Sequence, residues 1–146
     1  MRLVLAIVGI VLALAVFTLL NSNRTRVPYP ETPVPIPVSA MPPNGETTIN
    51  GEMRVEGPCL FLLQRDRARG DPDVLPIWPV GFAAKGAADE GVLLTGPLGM
   101  AKDAVNSELL ELHGAFVESA PPDAVVPPAC VGFRLFHVAR ALNIAT

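Results

Sequence analysis

The chain has 146 residues, a length that suffices for one ordinary domain. Its formal net charge is −3, and the part from Glu46 onward holds 8 of the 11 basic and 13 of the 14 acidic residues, which gives that part a charge of −5. A negatively charged domain without a basic stripe is a poor nucleic-acid binder, because phosphate contacts supply most of the non-specific affinity. We therefore expect no nucleic-acid partner.

The first element is an uncharged apolar run, residues 3–20, which lacks the polar stripe of a core helix. As a helix it would be about 27 Å long, close to the hydrocarbon thickness of a bilayer. The run exceeds the usual apolar core of a signal peptide, and no small-x-small cleavage site follows Leu20. The segment 1–26 is therefore predicted to anchor the chain in the lipid bilayer, and a cleaved signal peptide is the alternative.

The second segment, residues 27–45, is rich in proline. It carries seven of the sixteen prolines: Pro28, Pro30, Pro33, Pro35, Pro37, Pro42 and Pro43. Proline at alternate positions cannot propagate a helix and lacks donors for a sheet. The favoured state is extended polyproline II at about 3.1 Å per residue, which gives a reach of roughly 50 Å. This segment is predicted to be a linker that acts as a semi-rigid stalk.

The remaining residues, 46–143, are predicted to form one small domain. Residues 51–57 and 132–139 alternate between apolar and polar side chains, while 59–64 and 91–95 are apolar runs of strand length. Residues 74–82 are also apolar, but two prolines there indicate an edge strand or an irregular strand. Several short strands with Gly/Pro turns predict a mainly β fold, a small barrel or sandwich of five to six strands.

The stretch from Ala101 to His113 is ambiguous. Its apolar residues fall at helical spacing, and Gly114 could cap such a helix. The same stretch also fits a turn at 106–107 followed by a strand from Glu108 to His113. Periodicity alone slightly favours the helix.

The chain has two cysteines, Cys59 and Cys130, which are too far apart in sequence for a redox C-x-x-C motif or a zinc pair. Each lies next to a predicted strand, and strand starts can be neighbours in a closed sheet. Together with an export signal, an even cysteine count predicts a disulfide in an oxidising compartment, with two separate buried thiols as the alternative. The disulfide would place the C-terminal domain outside the cytoplasm and the N-terminus inside.

Several short motifs follow one another along the domain. A strand starts at Gly51, a Cys-Leu pair occupies 59–60, Ile-Trp-Pro-Val-Gly occupies 77–81, and Cys130 closes the series. This order resembles a group of small exported bacterial β domains, often lipoproteins, that lack an assigned activity. The resemblance covers about residues 45–140 and implies an OB-like barrel, with a strand over 108–113. The chain departs from the group in having a hydrophobic anchor where those proteins have a lipidated cysteine.

Residues capable of catalysis are few. His113 and His137 are the only histidines, and a metal site would need further ligands such as Glu111 or Glu118, whose spacing fixes no such site. No phosphate-binding glycine loop is present, and the resemblance supplies no catalytic residues. We predict no catalytic residue, no metal and no cofactor.

Trp78 has two interpretations. On an exposed edge strand it would anchor a partner, with Phe82 beside it. Buried, it would be the largest residue of the core, and the sequence favours this second interpretation.

The sequence thus favours a module for binding or structure, tethered to the cell membrane by a single pass and exposed outside the cytoplasm, such as an accessory subunit with an envelope protein partner. One alternative is a hydrolase that gathers His113 or His137 with acidic residues in a cleft. A triad of Ser107, His113 and Asp103 can be drawn for it, but the Gly-x-Ser-x-Gly motif is absent. The other alternative is a cleaved, freely secreted domain.

Overall fold

The computed structural model describes residues 31–66, 68, 71–87, 91–97 and 109–144. These residues form β1 (Pro33–Val34), β2 (Val38–Ser39), β3 (Thr47–Glu56), β4 (Cys59–Gln64), β5 (Val74–Pro79), β6 (Ala83–Ala87), β7 (Gly91–Thr95), β8 (Leu109–Val117), a 3-10 helix (Pro128–Cys130) and β9 (Arg134–Ile144). The predicted anchor, residues 3–20, lies outside the described part, and within that part no helix is long and apolar enough to cross a bilayer.

Five strands close into a barrel in the order β3-β4-β5-β9-β8 and back to β3. Neighbouring strands are antiparallel except β5 and β9, which run parallel with a register from Val74 opposite Arg134 to Ile77 opposite His137. Strands β1, β6 and β7 form a separate three-stranded sheet. The predicted mainly β fold with a small barrel is therefore confirmed.

The core fills the barrel because alternate residues of a strand point to the same face. Its barrel members include Met53, Leu62, Val74, Leu112, Phe136 and Val138. The three-stranded sheet contributes Val34, Ala84, Val92 and Leu94 to the same cluster, so both sheets share one core.

Trp78 lies in this core with none of its surface exposed, and its ring stacks on Phe82 at a centroid distance of 5.1 Å. Phe82 is itself only 6% exposed. The favoured interpretation of Trp78 as a core residue agrees with this burial, and the other interpretation, in which Trp78 and Phe82 contact a partner, is corrected because their side chains have almost no accessible surface. The indole Nε1 of Trp78 has no hydrogen-bond partner among the described residues.

Strand β5 is an internal barrel strand, so the edge strand, one of the two alternatives predicted for it, is wrong, while its pairing is irregular as in the other alternative. Pro76 is the register partner of Phe136 on β9, but the ladder on the other side of β5 is incomplete around it. On the side of β4 the pairing is limited to Leu62 opposite Val74. Two residues after Pro76, the N–H of Trp78 donates to the carbonyl of Pro37 in the segment before β2. Pro76 falls between these two pairings, so its missing N–H costs no strand hydrogen bond.

Residues 33–41, here named the N-terminal strap, belong to the folded domain. Within it β1 pairs with β6 and β2 runs parallel to the end of β5. The side chain of Val34 is buried in the core. The predicted linker over 27–45 is corrected for residues 33–41, because neighbouring strands supply the hydrogen bonds that this proline-rich segment cannot make within itself. Residues 27–30 lie outside the described part.

Strand β8 resolves the ambiguous stretch from residue 109 onward, where the strand implied by the family resemblance is present and the helix is absent; residues 101–108 lie outside the described part. A register shift between His113 and Gly114 interrupts its pairing with β9. The position needs glycine because a Cβ at residue 114 would collide with the carbonyl oxygen of His137.

The segment 118–133, here named the outer loop, folds back over the outside of the barrel. A second small cluster lies beneath it, in which Cys59, Leu75 and Cys130 are buried. Because Leu75 alternates with the core residue Val74, this cluster is on the opposite face of β5 from the core. The predicted disulfide between Cys59 and Cys130 is confirmed, with a Cα–Cα distance of 5.6 Å.

Removing this disulfide should destabilise the domain by about 4 kcal/mol, because the bond closes a large loop in the unfolded chain. The two cysteines are 71 residues apart. Urea unfolding of the Cys59→Ala/Cys130→Ala double variant, compared with the oxidised and the reduced wild type, measures the effect. The double variant and the reduced wild type should agree, and a loss below about 1 kcal/mol in both would contradict the prediction.

Candidate functional site

The outer loop has a second attachment at Asp123, which binds the N-terminal strap. The hydroxyl of Ser39 donates to Asp123 Oδ1 at 2.8 Å, and the N–H of Ala40 donates to Oδ2 at 2.7 Å. The N–H of Met41 in turn donates to the Ser39 hydroxyl at 3.0 Å. These hydrogen bonds, here named the Asp123 clasp, join segments more than 80 residues apart in sequence.

The clasp stabilises the carboxylate. The hydrogen bond from the Ala40 backbone, followed by that from the Ser39 hydroxyl, holds the pKa of Asp123 below its usual value of 3.8. Although Asp123 is exposed, Ser39 is only 3% exposed. The buried Ser39 hydroxyl therefore donates its proton to the Asp123 carboxylate and not to solvent.

His137 lies near the clasp on β9 and is 4% exposed. Burial lowers its pKa from the usual 6.5, while a hydrogen bond to the Met41 backbone and the charge of Asp123 oppose that shift. Its Nε2 has no hydrogen-bond partner among the described residues. His137 is thus held neutral beneath the loop at neutral pH.

A groove of about 680 Å³ opens between the start and the return of the outer loop. It is lined by Phe116, Val117, Glu118, Ala120, Val126, Cys130, Val131, Gly132, Phe133, Arg134 and Leu135. Most of these side chains are apolar, and Val131 is 80% exposed at the groove. The volume lies within the range of small-molecule and peptide pockets.

Aromatic packing fixes the floor of this groove. Phe116 meets the core residue Phe136 edge to face at 5.0 Å, and Phe133 stacks on Phe61 at 5.2 Å. The guanidinium of Arg134 lies 3.6 Å from the centre of the Phe116 ring. A cation on a ring face keeps its in-plane N–H donors free for other groups.

Charges of both signs flank the groove. Arg134 and Glu118 are exposed, and Arg134 forms no ion pair with the described residues. The groove therefore offers an apolar floor with one cation and one anion at its rim.

A second polar group lies on the outer face of β3, β8 and β9, away from the groove lining. His113 Nε2 donates to Glu111 Oε1 at 2.6 Å, and Thr48 Oγ1 is 3.2 Å from His113 Nδ1. A carboxylate can only accept, so the neutral ring carries its proton on Nε2 and accepts the Thr48 hydroxyl at Nδ1. We name Thr48, His113 and Glu111 the relay.

The structure thus brings His113 together with Glu111, and His137 near Asp123, but places the two histidines in separate groups. Glu118 is in the groove lining and in neither group. The described residues contain no cluster of three or more His, Cys, Asp or Glu side chains that could hold a metal ion. Ser107 and Asp103 lie outside the described residues.

The patterns in the sequence did not identify Ser39, Thr48, Asp123 or Arg134 as site residues. Each residue meets its partner through strand register or through the placement of a loop. Thr48 is 65 residues from His113, and Ser39 is 84 residues from Asp123. No local motif marks such pairs. Among these residues, only the alternation around Arg134 gave a signal, since it places that residue on the outer face of the last strand.

Comparisons with family models, with curated proteins and with solved structures find no match for this chain.

Acid should destabilise the domain in two separate pH ranges. Below pH 6.5 the unfolded chain binds a proton at His137 more readily than the folded chain does. The free energy of unfolding therefore decreases as the pH falls, with a slope no steeper than that for the uptake of one proton. Stability falls further below pH 3.8, as protonation of Asp123 through its lowered pKa releases the clasp. Urea unfolding measured from pH 7.5 to 3 reports both ranges.

Two variants separate the contributions. His137→Gln should reduce the loss of unfolding free energy just below pH 6.5. Asp123→Asn should keep that loss but lack the further loss below pH 3.8. Identical pH profiles for His137→Gln and the wild type would refute the assignment to His137.

Proposed function

We propose that this chain is a membrane-tethered, extracytoplasmic binding module that docks an envelope protein through the groove of its outer loop. The observation that carries the proposal is an open apolar groove on a loop fixed at both a disulfide and the Asp123 clasp. Such a loop loses little conformational entropy on binding, because it is ordered beforehand.

The order of the five strands in the barrel supports an OB-like fold, and this fold is part of the proposal. In OB folds the loop between the first two strands and the loop between the last two border the binding surface. Here the corresponding segments are the Gly57–Pro58 turn and the outer loop, and the disulfide starts at the residue after that turn. This support is an analogy of fold and identifies no ligand by itself.

The groove fits a polypeptide segment with apolar side chains. It is open along one side, and its rim carries one charge of each sign, which suits a chain with mixed charges. The aromatic floor and Arg134 are residue types that carry much of the energy of protein interfaces. The occupant we propose is therefore an apolar segment of a membrane-associated protein.

The location outside the cytoplasm is supported by the disulfide, since such bonds persist in oxidising compartments. Tethering is supported by the apolar run over residues 3–20. Because the N-terminal strap begins at Pro33, only residues 21–32 remain between that run and the fold, a span of roughly 37 Å when extended. The domain would thus lie closer to the membrane than a free stalk would allow.

Site-specific photo-crosslinking tests the groove. A photoreactive phenylalanine derivative replaces Val131 in the full-length chain, and the same derivative at Val125 is the matched control. Both valines are 80% exposed and both lie in the outer loop, but only Val131 lines the groove. In native membranes, a crosslinked protein should form at residue 131 at least about tenfold more strongly than at 125, as expected for contacts at the centre of an interface.

Equal crosslinking at both positions, or none at either, would refute the proposed groove contact. Val131→Asp should abolish co-purification of the same protein, and Val125→Asp should retain it. Mass spectrometry of the purified chain also reports whether its N-terminal peptide is intact, which distinguishes the anchor from a cleaved signal peptide.

A further inference from the structure

Two relay residues, Thr48 and His113, form one row with Arg140 across three barrel strands. Thr48 on β3 is the register partner of His113 on β8, and His113 is the register partner of Arg140 on β9. Glu111 precedes His113 by two residues and so lies on the same face of β8. The inward residues Leu110 and Leu112 are completely buried, which holds β8 in this register.

The two hydrogen bonds of the relay run in one direction, from Thr48 through His113 to Glu111. The Thr48 hydroxyl donates to His113 Nδ1, and His113 Nε2 donates to the Glu111 carboxylate. A nucleophile within reach of a base, with the base oriented by a third group, is the general arrangement of an activated hydroxyl. The two ring nitrogens have exchanged roles relative to the serine protease triad, but either nitrogen of a neutral imidazole can accept the proton.

Burial and charge favour chemistry at Thr48. Thr48 is exposed, so a substrate can reach its hydroxyl, while the His113 side chain is 14% exposed and shielded by its neighbours. The guanidinium Nη2 of Arg140 lies 3.5 Å from His113 Nδ1. It is therefore within reach of the carbonyl oxygen of a molecule attacked by Thr48, where its charge would stabilise an oxyanion.

We propose that Thr48 is the nucleophile of an acyl-ester hydrolase site, with His113 as general base and Glu111 as a positioning residue. This inference is independent of the binding function proposed for the groove, because the two share no residue. The relay lies on an exposed strand face, so the site fits an accessible ester, such as an acyl group carried on a larger molecule.

The reaction has two steps. The Thr48 oxygen forms a bond to the carbonyl carbon while its proton passes to His113 Nδ1, and the leaving alcohol departs with that proton as the original ester bond breaks. Water then attacks the acyl-threonine with His113 again accepting a proton, which releases the carboxylic acid and restores the hydroxyl. Water and the ester are the only reactants, and no oxidation occurs.

Acetylation by p-nitrophenyl acetate tests the site in the purified full-length chain. Mass spectrometry should find one acetyl group on Thr48, and release of p-nitrophenol should show a burst followed by slower turnover. Thr48→Val should abolish the burst and the adduct, whereas Thr48→Ser should retain both. Thr47→Val is the matched control, because Thr47 is exposed on the same strand and makes no hydrogen bond to His113.

The remaining variants separate the roles. His113→Gln should slow the burst about 100-fold, the size expected for loss of a general base. Glu111→Gln should lower kcat and leave KM unchanged, because Glu111 orients the imidazole without touching the ester. Absence of acetyl on Thr48, or equal bursts from Thr48→Val and Thr47→Val, would overturn the proposal. Thermal unfolding of each variant reports whether it is folded.

Discussion

The parallel pairing of β5 with β9 is the constraint on which the rest of this fold depends. It converts an open sheet into a barrel, and parallel neighbours cannot be joined by a tight hairpin. The chain between them must therefore make a long excursion, which contains the β6–β7 hairpin, β8 and the outer loop. Closure also gives Trp78 an enclosed position in the core, and gives each of the five barrel strands a neighbour on both sides.

The same closure gives β5 two apolar faces. One face fills the barrel, and the other requires a cover, because Leu75 and its neighbours would otherwise contact water. The outer loop supplies this cover, and the groove is formed where the loop leaves the barrel and returns to it. Since the loop is attached at Cys130 and at Asp123, the surface proposed for binding is a by-product of how the second face of β5 is buried.

Local patterns in the sequence predicted those elements whose determinants are local. Residues 59–64 and 91–95 coincide with β4 and β7, because each is an apolar run bounded by turn residues. The strap was predicted as a stalk, since the register partners of its strands lie 40 or more residues away in β5 and β6. The helical spacing was misleading for residues 109–113, because the neighbouring strands β3 and β9 impose an extended chain there, so tertiary pairing overrode a weak periodicity.

The candidate sites were less accessible to sequence analysis. His113 and His137 could be identified as the only imidazoles, but their partners depend on register. A shift of one residue along β3 would replace Thr48 with a residue on the opposite face. Only the disulfide was predicted from composition, because a chain with two cysteines has one possible intramolecular pairing.

The strap also determines how the domain responds to mechanical force on its N-terminal side. A pull at Glu31 loads the two-residue pairing of β1 first, then that of β2, and then the hydrogen bonds to Asp123. The barrel behind them is closed by many more hydrogen bonds and by a covalent bond. The strap would thus peel away in steps, extending the chain before Thr47 by up to roughly 45 Å while the barrel stays folded. Under tension from the N-terminal side, the strap would therefore detach at a lower force than the one that unfolds the barrel.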